Sequence, residues 1–161
     1  MSDNFSLIIK NGSCYIDGKL IKTDIGLSDN KIKKIGKIEL NSFKVYDATD
    51  KVVLPGIIDT QVHFREPGST DAEDLESGSR AAVLGGVTSL FEMPNTNPPT
   101  SNLVEFDKKL VAAKNRMHSN YAFYFGATPD NTDQLAKLKD VEGCCGVKSV
   151  SYTHLTLPTT R

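Results

Sequence analysis

The sequence predicts an α/β fold, a parallel sheet with helical crossovers that follows a short all-β segment. From residue 52 onward, apolar runs typical of buried strands alternate with amphipathic stretches, and this alternation favours parallel pairing. Before residue 52, short apolar runs are separated by turn dipeptides, without a helical period. Polar residues follow the ends of the later strands, where βα barrels and open α/β sheets place their chemistry.

Residues 1–51 contain short strand candidates joined by turns. Asn11-Gly12 and Asp17-Gly18 are turn dipeptides that tolerate positive φ, and residues 28–30 give a third turn signal. The strand candidates are Leu7–Lys10, Cys14–Ile16, Leu20–Ile25 and Lys31–Ile35. A meander of this size is marginal alone, so we expect it to pack against another part of the protein.

Residues 52–148 are predicted to form successive βα units. The strand candidates are Val52–Ile58, expected to be buried on both faces, then Val87–Met93, Tyr121–Ala127 and a fourth strand that starts at Gly146. The helix candidates are Asp71–Leu84, Leu103–Met117 and Thr132–Val141. A closed barrel usually needs about 250 residues, so only about half of one fits here.

Residues 149–161 are interpreted as a non-native tail. The run from Val150 to Thr159 resembles a sequencing adaptor translated in frame, and it has neither a strand nor a helical period. His154 is therefore not expected to be a metal ligand.

Composition narrows the functional class. The chain carries 19 Lys and Arg against 20 Asp and Glu, a net charge of -1, which gives no electrostatic footprint for nucleic acid or an anionic membrane. It has no apolar run near the ~20 residues of a membrane helix and no signal-like N-terminus. The three cysteines match neither zinc spacing nor a disulfide framework. A cytoplasmic protein is expected.

The polar run after the first parallel strand is the principal site candidate. On an extended strand Gln61, His63 and Arg65 share one face. A His beside another donor can hold a metal, and an Arg can hold a carboxylate through two hydrogen bonds. The alternative is a solvated loop with an isolated His. We favour the site, because the run follows a buried strand and breaks at Pro67-Gly68.

Two further residues are weaker candidates. Asn95 follows the next strand and offers an amide to a polar ligand, although a rigid Pro-rich loop would look the same. Lys148 lies in the fourth strand, where a buried Lys is unusual. It could be carboxylated by carbon dioxide and bridge two metal ions, or it could be an edge-strand Lys that faces water.

Three segments together resemble the dihydroorotase branch of the amidohydrolase superfamily. They are PGIIDTQVHFREPG at 55–68, GGVTSLFEMPNTNPP at 85–99 and GVK at 146–148, and the resemblance extends from about Leu7 to Lys148. It implies the N-terminal part of a TIM (β/α)8 barrel, about four of its eight strands, preceded by part of a small β-sandwich.

The resemblance also implies an activity and roles for residues. The family hydrolyses L-dihydroorotate reversibly to N-carbamoyl-L-aspartate in pyrimidine biosynthesis, by a hydroxide activated on one or two zinc ions. His63 and carboxylated Lys148 would bind metal, whereas Arg65 and Asn95 would bind the substrate carboxylate. The later histidines and the general-base Asp would lie beyond residue 148. The 161-residue chain is therefore expected to be inactive, and the full-length protein is expected to be a homo-oligomer that acts on a small molecule.

Gln61 departs from the family pattern, which usually has His at this position. An amide oxygen is a poor zinc ligand beside imidazole, so Gln61 is a doubtful member of the metal site. Two alternatives stay open. One is an allantoinase-like or hydantoinase-like cyclic amidohydrolase, against which Arg65 with Asn95 argues. The other is a non-catalytic homologue that supports aspartate transcarbamoylase, which Gln61 keeps open.

Overall fold

The computed structural model describes residues 4–39 and 44–149. Residues 150–161, which include His154 and nearly all of the interpreted tail, lie outside the described residues. Tertiary contacts divide the chain into two units, Met1–Pro55 and Gly56–Arg161. Within the described ranges, no helix is long and apolar enough to cross a membrane.

The first unit is a five-stranded sheet. Its strands are β1 (Leu7–Ile16), β2 (Lys19–Ser28), β3 (Lys31–Ile35), β4 (Val45–Asp47) and β5 (Val52–Val53). The order is β3-β2-β1-β4, and β5 also pairs with β1. β1–β2 and β2–β3 are antiparallel, whereas β4 and β5 run parallel to β1. Phe5, Ile8 and Ile38 form a small buried core in this unit.

The predicted turn at Asn11-Gly12 is wrong, because β1 continues through it. The register against β2 shifts between Ile9 and Gly12, and Asn11 adopts φ 63°. A bulge accommodates this conformation without ending the strand. A Cβ on Gly12 would lie 2.7 Å from Val53 Cγ2, so the close approach of β5 requires glycine here.

The second unit contains four parallel strands in the order β6-β7-β8-β9. They are β6 (Ile57–Val62), β7 (Val87–Glu92), β8 (Asn120–Gly126) and β9 (Cys144–Lys148). α1 (Leu75–Leu84) connects β6 to β7, and α2 (Leu103–Ala113) connects β7 to β8. The predicted order of parallel strands and the first two helical connections are therefore confirmed.

The predicted strand Val52–Ile58 is wrong in extent and in burial. It is two strands: β5 pairs with β1 in the first sheet, and β6 pairs with β7 in the second. The break falls at Pro55-Gly56, where proline cannot donate to a ladder. β6 is largely exposed, and it has a paired neighbour on one side only among the described residues.

Side-chain caps set where both helices begin. Asp74 accepts a hydrogen bond from the Ser77 amide at 2.7 Å in a capping box, so α1 starts after Asp74 rather than at Asp71. Asn102 accepts one from the Glu105 amide at 2.9 Å and starts α2.

The predicted helix Thr132–Val141 is instead two short 3₁₀ helices, Pro129–Asn131 and Leu135–Asp140. Asn131 is buried and caps the first of them, since its Oδ1 accepts the Thr128 amide at 2.8 Å. The chain is thereby held in a tight turn where local sequence had indicated a continuous helix.

The core of the second unit lies between the sheet and its connections. Its largest members are aromatic, and Phe106 of α2 packs against Phe123 and Phe125 of β8 with ring centroids 6.3 and 6.5 Å apart. All three side chains are fully buried. The core fixes α2 against β8 and so positions the loops that leave the carboxyl ends of the strands.

Candidate functional site

The carboxyl ends of the four parallel strands meet at one edge of the sheet. Val62 pairs with Glu92 at the ends of β6 and β7, and Gly126 pairs with Lys148 at the ends of β8 and β9. The Met93 amide donates to the Val62 carbonyl at 2.9 Å, which carries the pairing past β7. The residues singled out from the sequence lie at the ends of β6 and β9 and in the loops that leave this edge.

His63 and Asn95 are in direct contact at this edge. His63 Nδ1 lies 2.9 Å from Asn95 Oδ1, which agrees with the expectation that the two residues share one end of the sheet. Because an amide oxygen can only accept, the imidazole donates from Nδ1. The lone pair of His63 Nε2 is then available to a ligand. The Asn95 amide nitrogen has no partner among the described residues and can donate to a second ligand group.

Gln61 and Arg65 lie on either side of His63, and both are exposed. The backbone amide of Gln61 donates to Asp59 Oδ1 at 2.9 Å. The guanidinium of Arg65 makes no ion pair or hydrogen bond with the described residues, which leaves it free to bind an anion. The structure does not bring Gln61 or Arg65 into contact with the His63–Asn95 pair.

Lys148 is the last residue of β9 and is half-buried. It pairs with Gly126 in the sheet, and its carbonyl accepts the Ala127 amide at 2.9 Å. Within residues 4–39 and 44–149 its amine has no carboxylate partner. Lys148 therefore lies two strands along from Asn95, at the same edge.

Close packing fixes the loops that follow β6 and β7 relative to each other. The Asn97 amide donates to the Pro67 carbonyl at 3.1 Å. Gly68 adopts φ +116°, and a Cβ there would lie 2.7 Å from the Asn97 carbonyl oxygen. A side chain at position 68 would therefore separate the loops that carry Arg65 and Asn95.

The loop after β7 is also fixed to β8. The Thr100 amide donates to Pro94, and the Gly126 amide donates to Thr100, at 2.9 and 2.8 Å. Asn131 Nδ2 donates to the carbonyls of Ser101 and Gly126 at 2.7 and 2.9 Å. The contact with Ser101 has no local sequence signal, because the two residues are 30 positions apart.

A buried ion pair lies behind the edge, between β7 and α2. Lys109 Nζ is 3.1 Å from Glu92 Oε2, and each side chain is only 2% exposed. The pair does not reach hydrogen-bond geometry, and the ammonium also lies 5.4 Å from the centroid of the Phe123 ring. Burial raises the pKa of Glu92 to about 7 and lowers that of Lys109, although each charge opposes the shift of the other.

A second carboxylate, Glu66, is held by three donors. Arg116 binds both of its oxygens, with Nη1–Oε1 at 2.7 Å and Nη2–Oε2 at 3.0 Å. The Leu75 amide donates to Oε2 at 3.0 Å. The hydrogen bonds from Arg116 and from the Leu75 amide lower the pKa of Glu66, against the opposing effect of burial.

We expect Glu66→Gln to lower the free energy of unfolding at neutral pH but much less at acid pH. A lowered folded-state pKa contributes stability above the ordinary value of 4.5, and this contribution is lost as pH falls through the folded-state pKa. Urea unfolding of the wild type and the variant at pH 3 and pH 7 measures the difference. The stability gap should be wide at pH 7 and narrow at pH 3; a gap of equal size at both would contradict it.

The described residues fit a metal ion only in part. They contain no group of three or more His, Cys, Asp or Glu able to hold one. His63 Nε2 is a suitable donor, and Lys148 becomes one when it is carboxylated, but Gln61 offers only an amide. A complete metal site at this edge therefore requires ligands beyond the described residues.

A family model of the amidohydrolase family matches residues 52–150, more than half of the chain. The chain is similar to a dihydroorotase of Lactobacillus helveticus, 42% identical over 80% of this chain and 30% of that protein. It is also similar to an allantoinase of Desulfitobacterium hafniense, 38% identical over 89% of this chain and 32% of that protein. The chain thus spans about a third of the length of these relatives.

Among solved structures, the chain is similar to the L-hydantoinase (dihydropyrimidinase) of Arthrobacter aurescens. The TM-score is 0.83 and the identity 31%, over 90% of this chain and 33% of that protein. These similarities confirm the predicted fold class, with part of a TIM barrel of the metal-dependent hydrolase type after a β-rich segment.

Proposed function

The chain belongs to the amidohydrolase family, and on that premise we propose that the full-length protein carrying it opens the ring of L-dihydroorotate to give N-carbamoyl-L-aspartate. The observation that carries this proposal is the free Arg65 guanidinium, which follows the same strand as His63. A cation that has no partner among residues 4–39 and 44–149 suits an anionic substrate. The 42% identity to a dihydroorotase supports the same substrate.

In this proposal the residues of the chain divide between binding and metal ligation. Arg65 and the Asn95 amide nitrogen hold the substrate carboxylate and so orient the ring. His63 contributes Nε2 to the metal site, since Asn95 already accepts from its Nδ1. Carboxylated Lys148 is the second ligand that we propose from this chain.

Zinc, one ion or two, is the metal that we propose. When bound, it would supply an activated water as the nucleophile. The remaining ligands and the general-base Asp would come from later strands, so we expect residues 1–161 alone to be inactive. We also propose that the full-length protein is a cytoplasmic homo-oligomer in pyrimidine biosynthesis.

The decisive experiment compares three substrates with the purified full-length protein. L-dihydroorotate and 5,6-dihydrouracil share a ring but differ in the carboxylate, and allantoin represents the alternative activity favoured by the 38% identical relative. Hydrolysis of L-dihydroorotate in preference to the other two supports the proposal. Preference for allantoin or dihydrouracil overturns it, and inactivity on all three favours the non-catalytic homologue that Gln61 keeps open.

Arg65→Met should weaken binding of L-dihydroorotate by about tenfold to a hundredfold, because a hydrogen bond to a charged group contributes roughly 1.5–3 kcal/mol. Metal content should not change. Hydrolysis of 5,6-dihydrouracil is the internal control, since that substrate has no carboxylate for Arg65 to bind. Steady-state kinetics on both substrates measure the effect, and equal losses on both would contradict a carboxylate role.

A further inference from the structure

Arg116 lies outside the candidate site but binds the segment that carries Arg65, the proposed substrate-binding residue. It follows the end of α2, and its two nitrogens bind both oxygens of Glu66. Glu66 is the residue after Arg65, so Arg116 is attached to the chain one residue from the proposed substrate-binding position. Arg116 is itself fixed, because Nη1 also donates to the Ala112 carbonyl at 3.1 Å.

The same carboxylate joins three elements. Glu66 Oε2 accepts the Leu75 amide at the start of α1, and Arg116 Nη2 also lies 3.6 Å from Asp74, the residue that caps this helix. The Glu66 side chain is 15% exposed and that of Arg116 is 37% exposed. The loop after β6, the start of α1 and the end of α2 therefore meet at one partly buried cluster of charges.

The turn that holds Arg65 depends on this cluster. The Ser69 amide donates to the Arg65 carbonyl at 2.8 Å, and the Asn97 amide donates to Pro67. These two hydrogen bonds fix the backbone of the turn. Among the described residues, Glu66 is the only side chain of residues 65–68 that makes a polar contact with a helix or its ends. Without Arg116, Glu66 keeps only the Leu75 amide as a partner, and the segment loses its attachment to the end of α2.

We infer that Arg116 is a positioning residue, which acts through Glu66 to hold Arg65 where it binds the substrate carboxylate. The inference rests on the proposed function for the identity of that substrate. A small displacement of a binding group is enough to weaken binding severely. Arg116 touches no reacting atom, so its removal should act on binding rather than on the chemical step.

The test uses Arg116→Met in the full-length protein, with Arg80→Met as the matched control. Arg80 forms an exposed ion pair with Glu76 on α1 at 3.3 Å. Arg80→Met therefore removes the same charge as Arg116→Met and leaves the partners of Glu66 in place. We expect Arg116→Met to raise KM for L-dihydroorotate by roughly tenfold with kcat nearly unchanged. Arg116→Lys should give an intermediate KM, because an ammonium cannot bind both oxygens as a fork.

A double-mutant cycle separates positioning from general destabilisation. In the Arg65→Met background, Arg116→Met should not raise KM further, because the group that it positions is absent. The same increase in both backgrounds would overturn the inference, as would a lower melting temperature with KM unchanged.

Amide hydrogen exchange provides a readout that does not need activity. Protection of the Ser69 amide should fall in Arg116→Met and persist in Arg80→Met. Unchanged protection in Arg116→Met overturns the inference for any substrate. A wild-type protein that does not turn over L-dihydroorotate contradicts the proposed function instead, and the exchange result still decides whether Arg116 holds the turn.

Discussion

Lys109→Met should lower the free energy of unfolding by about 3–5 kcal/mol, the range found when one partner of a buried ion pair is removed. Lys109 and Glu92 are each 2% exposed and face each other at 3.1 Å. Without the ammonium, Glu92 retains neither an ion pair nor a hydrogen bond to its carboxylate oxygens in the part of the chain that the structure describes. The variant must therefore bury an unpaired charge or keep Glu92 protonated.

The dependence on pH identifies the cause. The pKa of Glu92 is already raised from 4.5 to about 7, and the charge of Lys109 holds it down, so the variant should raise it further. A raised folded-state pKa means that stability is fully present below pH 4.5 and is lost as pH rises through the folded-state value. The loss in Lys109→Met should therefore be larger at pH 8 than at pH 5.

The double variant Glu92→Met, Lys109→Met is the matched control for volume and packing. Replacing both members of a buried pair by apolar residues is often neutral or stabilising. Urea unfolding of the full-length protein measures all three proteins. If the double variant is as unstable as Lys109→Met, the loss comes from packing rather than from the unpaired carboxylate.

His63→Ala should abolish hydrolysis and lower the metal content of the full-length protein. The reason is the orientation of the ring: Nδ1 donates to Asn95 at 2.9 Å, which directs the other nitrogen to the proposed metal. Loss of a ligand removes affinity and the activated water together. Elemental analysis of the purified protein, together with turnover of L-dihydroorotate, measures both effects.

His118→Ala is the control for loss of a histidine. His118 Nε2 is 2.8 Å from Glu76 Oε1 at the surface, and the residue lies before β8, at the opposite end of that strand from Gly126. Activity and metal content should both persist in this variant. Undiminished zinc in His63→Ala would show that His63 is not a metal ligand and that its hydrogen bond to Asn95 has another role.

Local sequence predicts much of this fold because its strands and helices carry strong local signals. β7, β8 and α2 lie close to their predicted positions, since apolar runs and the Asn102 cap mark them directly. The prediction of one strand over Val52–Ile58 is wrong because an apolar run does not show which sheet each of its residues joins. The pairing of Val52 with Ser13 and of Ile57 with Val87 is set by distant parts of the chain.

The site shows the same division between local and distant signals. His63 and Asn95 could be predicted at one edge, because each directly follows a parallel strand. The buried ion pair of Glu92 with Lys109 could not be predicted, since a Glu at the end of a strand and a Lys in a helix are both expected to face solvent. Arg116 and Glu66 are 50 residues apart, and neither has a local feature that indicates the other.

The exposed strand β6 has a practical consequence for handling the 161-residue chain. Ile57 and Ile58 are 55% and 59% exposed, on a strand that pairs on one side only among the described residues. Open backbone donors and acceptors beside apolar side chains form a template for another strand. Recombinant production of this chain by itself therefore favours self-association and inclusion bodies, and dilution or a solubilising fusion partner is the appropriate starting condition for purification.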